Sequence, residues 1–113
     1  MQPTILLEAI GAIVEIKNFI NHYPNATFII GKTDDCSRRK QEYKENGYGY
    51  FKQIAKSQSL DDINELEKFL IKFSKVFYQD KIENQNDGGG GNFSESPNYF
   101  VYLTSKYDNY EHN

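Results

Sequence analysis

The stretch from Leu60 to Tyr78 constrains the fold more than any other part of the sequence. Ile63, Leu66, Phe69, Leu70, Phe73, Val76 and Phe77 recur at spacings of three and four, which predicts one apolar stripe on an amphipathic helix over 60–78. Ser59 stands where an N-cap oxygen is needed, and Asp62 follows as the far half of a weak capping box. Such a stripe is stable only when covered, so this helix must pack on a sheet. With 113 residues the chain can build one hydrophobic core, and any functional site has to lie on that single domain.

The other elements are shorter. Residues 4–21 place Leu6, Ile10, Ile13 and Phe19 or Ile20 at helical spacing, with Pro3 suited to a first turn and Pro24 beyond the end. Glu8, Glu15 and Lys17 interrupt this apolar segment before the roughly 20 residues a membrane-spanning helix needs. It therefore reads as a core helix, and no membrane partner is expected. ATFIIG, rich in Phe and Ile, reads as a buried strand closed by Gly31. DCSRRKQEYKEN, with Asp34 or Asp35 as its cap, reads as a polar helix ending before Gly47, and GYGYFKQIAKS as a half-exposed strand.

Residues 79–98 hold little apolar content and include GGGG, either a linker or a loop whose glycines let backbone approach a ligand. YFVYL, residues 99–103, reads as a final strand, and 104–113 as a frayed tail. The expected architecture is one α/β (α+β) domain over 1–113: a small three-stranded sheet flanked by about three helices, the first within 1–23.

Charge bounds the partners. The net charge of -3 argues against coating nucleic acid by bulk electrostatics, yet residues 31–60 carry seven Lys or Arg against four Asp or Glu. A polyanion would bind this middle third, where Lys32, Arg38, Lys40 and Lys52 are candidate contacts. Tyr48, Tyr50 and Phe51 beside Lys52 could stack on bases, although packing explains most of the nine tyrosines. The single cysteine, Cys36, excludes an internal disulfide, and nothing resembles a cleavable signal peptide, so an intracellular location is expected. GKT at Gly31 is no Walker motif, because the position five residues earlier is Ala26.

The order of elements and the residues on them together resemble the GIY-YIG nuclease superfamily, which includes homing endonucleases and the incision domain of bacterial excision repair. FIIGKT looks like that family's second strand, with Ile29, Ile30 and Gly31 where the family has Tyr-Ile-Gly. Arg39 lies eight residues after Gly31, the spacing of the family's catalytic arginine, and Tyr43 lies a further turn on. Glu65 and Glu67 flank the apolar stripe symmetrically; the resemblance selects Glu67 as the counterpart of the metal-binding glutamate. Asn84 or Asn86 before GGGG resembles a late asparagine and glycine motif. The likeness spans about residues 26–103. It departs from the family at the first strand, whose place is taken by the 4–21 helix, and at Ile29, where the family's tyrosine is absent.

The resemblance implies Mg²⁺-dependent phosphodiester hydrolysis on nucleic acid, with Arg39, Tyr43, Glu67 and a borrowed phenol as catalytic residues, Glu67 as the metal ligand, and Asn86 as a further contact. If YFVYL pairs beside FIIG, Tyr99 or Tyr102 could restore the missing phenol. The alternative is a catalytically inactive domain of this fold that serves as a protein-interaction module, such as a phage or bacterial regulatory factor.

Overall fold

A computed structural model of the chain describes residues 3–86, 88, 93 and 95–106. Three helices and three strands follow one another as α1 (Pro3–His22), β1 (Ile29–Thr33), α2 (Cys36–Glu45), β2 (Tyr50–Ser57), α3 (Leu60–Phe77) and β3 (Tyr99–Ser105). The strands form one antiparallel sheet in the order β1-β3-β2, so the last strand lies at its centre. This is the expected α+β domain, a three-stranded sheet flanked by helices.

Local chemistry explains the boundaries. Asp35 caps α2 by accepting a hydrogen bond from the Arg38 N–H, and Ser59 caps α3 by accepting from Asp62 N–H. Gly47, with a φ of +88°, takes the left-handed conformation just beyond α2, which is why β2 starts at Tyr50 rather than at Gly47. β1 starts later than ATFIIG implied, because Ala26 and Thr27 precede an isolated bridge between Phe28 and Ile82. β3 runs two residues past Leu103: Thr104 and Ser105 are buried and donate hydrogen bonds to Tyr50 O and Thr27 O. The stretch read as a frayed tail after Lys106 lies outside the described residues.

α1 and α3 cover one face of the sheet, with α1 on β2 and α3 on β1 and β3. Their buried residues share one core with Ile30, Ile54, Val101 and Leu103. α2 lies against β2 and β3 on the opposite face, where its Tyr43 meets Phe51 and Tyr102.

Both long helices are rotated relative to the expected stripes. α1 buries Phe19 and Ile20 as expected, but also Ile5, Ala9, Ala12 and Ile16, whereas Leu6 and Ile10 are exposed. The helix carries two apolar seams of equal period, and the one with alanines lets the backbone approach the sheet closely. α3 buries Ile63, Leu66 and Leu70 as expected, but its seam continues through Glu67, Ile71 and Ser74. Val76 and Phe77 are 73% and 65% exposed. An 18-residue helix is about 27 Å long and a five-residue strand about 17 Å, so the sheet edge cannot cover the whole helix. No helix among the described residues is long and apolar enough to cross a membrane.

Candidate functional site

β1 is an edge strand, and a cleft of about 520 Å³ opens along it. Four elements and the glycine-rich loop supply its walls: Gly31 and Lys32 from β1, Arg39 and Tyr43 from α2, Glu67 from α3, Tyr102 from β3, and Asn86 and Gly88 from the loop. Residues separated by up to 73 positions in the chain, from Ile29 to Tyr102, thus share one cavity, including Arg39, Tyr43 and Glu67.

One wall is an aromatic and guanidinium cluster. Tyr102 pairs with Gly31 across the β1–β3 ladder, and its ring lies over that glycine: a Cβ on Gly31 would come within 2.3 Å of the Tyr102 hydroxyl. Phe51 stacks on the other side of the Tyr102 ring at 4.7 Å between centroids. So held, the Tyr102 hydroxyl accepts from Arg39 Nε at 3.4 Å and donates to the Tyr43 hydroxyl at 3.2 Å. The guanidinium carbon lies 5.4 Å from the centre of the Tyr43 ring, a cation–π arrangement, and Nη1 donates to Glu42 at 3.4 Å.

Burial pushes the Tyr102 phenol well above its ordinary range, with the Tyr43 contact adding to the shift and Arg39 opposing it. Tyr102 is therefore neutral at physiological pH, an orienting group and not a base. For Arg39, desolvation works against the charge, but hydrogen bonds to Tyr102 and Glu42 outweigh it and the pKa is raised. The result is a permanent forked cation with its plane fixed, a geometry suited to a phosphate group.

The other wall is an ion pair. Ile30 and Lys32 alternate onto the same face of β1, so Lys32 turns towards α3. There its ammonium donates to Asn64 Oδ1 and stands 3.6 Å from Glu67 Oε1. Lys32 and Glu67 are 8% and 7% exposed. Gly88, with a φ of +78°, closes over the carboxylate: a Cβ there would lie 2.9 Å from Glu67 Oε1 and 2.7 Å from Ile71 Cδ1. One glycine of the GGGG run is thus required for close approach, while Gly89, Gly90 and Gly91 lie outside the described residues.

Glu67 offers Mg²⁺ a hard oxygen ligand, as the resemblance implied. That oxygen already faces an ammonium, and a dication placed on it would be repelled at contact distance. No group of three or more His, Cys, Asp or Glu side chains able to hold a metal ion occurs among the described residues. The residues present do not fit a divalent ion in this arrangement.

Comparison with protein-family models, curated proteins and solved structures finds no match. The site stands on its own geometry.

The remaining sequence candidates are dispersed. Arg38 is exposed on α2 and paired with Asp34 at 3.1 Å, and Lys40 is exposed on the same helix. Lys52 points to the α1 side of the sheet, where it pairs with Glu15 at 2.6 Å, away from the cleft. Tyr99 is buried in the core and its hydroxyl accepts from Ser96 N–H, so of the two proposed phenols Tyr102 is the one at the cleft. Burial, with the Asp35 carboxylate beside it, raises the Cys36 thiol above its ordinary range.

The two asparagines both line the cleft but differ in their partners: the Asn84 amide pairs with backbone, Ile30 N–H donating to its Oδ1 and its Nδ2 donating to Ile30 O, both at 2.8 Å. Its amide pairs with the open edge of β1 as a neighbouring strand residue would. Sequence reading missed the Lys32–Asn64–Glu67 contact. Two signals could have exposed it: Lys32 shares the strand alternation of buried Ile30, and Asn64 and Glu67 are three residues apart on one helix face.

Proposed function

We propose that the cleft binds the phosphodiester backbone of nucleic acid and hydrolyses it, in a divergent form of the GIY-YIG arrangement. One observation carries this reading: Arg39, Tyr43, Tyr102 and Glu67, which lie on three different elements, line a single cleft. Hydrolysis requires a positive group on the phosphoryl oxygens, an acceptor for the proton of the attacking water, and a donor for the leaving oxygen. Arg39 supplies the first. Glu67 is the carboxylate of the described lining and takes the water's proton; the Tyr43 phenol, oriented by Tyr102, donates to the leaving oxygen. Water forms the new bond to phosphorus as the ester P–O bond breaks.

The test is cleavage of single- and double-stranded DNA and RNA with and without Mg²⁺ or Mn²⁺. Arg39→Ala and Glu67→Ala are each expected to lower the rate about 100-fold or more, the scale for losing one preorganised electrostatic group. No cleavage and no salt-sensitive binding would remove the reading.

A second reading has one observation in its favour. Leu7 on α1 and Val76 and Phe77 on α3 leave apolar side chains in solvent, as a protein-interaction module would. A protein that neither cuts nor binds nucleic acid, yet captures a partner through a surface lost on Phe77→Ser, would support it.

A further inference from the structure

We infer that the Lys32 ammonium is the resident cation of this cleft, standing where a divalent ion would have to meet Glu67. The inference deepens the reading of the cleft as a phosphate site, but its test does not depend on cleavage. Contacts with three described residues hold the ammonium in place. It donates to Asn64 Oδ1, it pairs with Glu67 Oε1 at 3.6 Å, and it sits 5.9 Å from the centre of the Phe93 ring. With Lys32 only 8% exposed, the side chain cannot swing into solvent to make way for a metal without losing all three.

The carboxylate is equally constrained. Glu67 approaches Gly88 so closely that a single added methyl would touch its Oε1, at 2.9 Å. Rotating towards a hydrated ion on that side would require the loop to move. Within the pair the ammonium balances the carboxylate with no need for metal, and the Arg39 guanidinium stands on another wall of the same cleft. An anionic oxygen entering the cleft is offered the Arg39 guanidinium, while Lys32 offsets the Glu67 carboxylate that would otherwise repel it. The ligand class is a phosphate monoanion or diester held without a bridging metal.

The experiment is a Mn²⁺ titration followed by the electron paramagnetic resonance signal of the free ion, on wild type, Lys32→Gln, Glu67→Gln and the Lys32→Gln/Glu67→Gln double variant. Wild type is expected to show no saturable uptake. Lys32→Gln, which keeps a polar group beside Asn64 but removes the charge, is expected to gain at least tenfold in Mn²⁺ affinity, and the double variant to lose that gain. A saturable wild-type site abolished by Glu67→Gln alone would overturn the inference, as would no gain in Lys32→Gln that circular dichroism shows to be folded. Should Lys32→Gln fail to fold, the wild-type arm decides. Binding of a fluorescent single-stranded oligonucleotide gives the parallel readout: affinity unchanged by EDTA is expected, and affinity abolished by EDTA would overturn it. A protein that binds neither oligonucleotide nor Mn²⁺ refutes the nucleic-acid reading while leaving Lys32 in the cation position.

Discussion

At the scale of single residues, the cleft depends on the crossing of Gly31 and Tyr102. The Tyr102 ring occupies the volume a side chain at Gly31 would need, so Gly31→Ala must displace the ring, and with it the contact to Arg39. Overpacking of this kind costs about 1–3 kcal/mol, and a urea melt showing no loss would mean the ring moves freely. The phenol itself has a pH signature. Its folded pKa is raised above the ordinary 10, so the folded state holds the proton longer than the unfolded chain does. The stabilisation is complete below about pH 10 and is lost as pH rises through the folded value. Tyr48 and Tyr50 are raised as well, chiefly by burial, so the urea midpoint of wild type should fall above pH 10, and less steeply in Tyr102→Phe. Identical slopes in the two proteins would show that Tyr102 is not the buried phenol. Tyr102 could be named from the sequence because its strand had to pair somewhere near FIIG; that it would lie over Gly31 depended on a register that only the fold sets.

At the scale of elements, the exposed edge of β1 is closed without a fourth strand. The segment after α3 runs beside Phe28, with Phe28 N–H donating to Lys81 O and Glu83 N–H to Phe28 O, both at 2.8 Å. Asn84 continues the pairing with its side chain. Asn84→Ala would leave the Ile30 N–H and C=O without these partners at a part-buried position, a cost of about 1–3 kcal/mol. Faster amide exchange at Ile30, with little change in β3, is the expected local sign; uniform exchange across the sheet would refute a clamp confined to the edge. The helices show where periodicity stops informing. α1 carries two apolar seams at helical spacing, and sequence alone cannot say which meets the sheet, whereas the single stripe of α3 is buried only along one edge, which continues through Glu67, Ile71 and Ser74. Glu67 illustrates the difficulty, since a charged residue in the buried seam of α3 reads as a stripe edge until Lys32 is placed opposite it.

At the scale of the whole molecule, the basic middle third is less positive in three dimensions than along the chain. Of its seven Lys and Arg, Lys32, Arg38, Arg39 and Lys52 each face a carboxylate: Glu67, Asp34 with Glu42, Glu42, and Glu15 respectively. Two of those carboxylates, Glu15 and Glu67, come from outside residues 31–60, so counting charges by segment could not reveal the neutralisation. A protein with this layout cannot hold nucleic acid by a broad electrostatic surface and has to rely on the cleft. The expected footprint is one or two phosphates, giving a slope of about -1 to -2 in log affinity against log salt concentration. Arg39→Ala should reduce that slope by about one unit, whereas Lys52→Ala, on the far side of the sheet, should leave it unchanged. A wild-type slope steeper than about -4 would mean that phosphates are contacted well beyond the cleft, and the exposed Lys40 on α2 would then be the first residue to test.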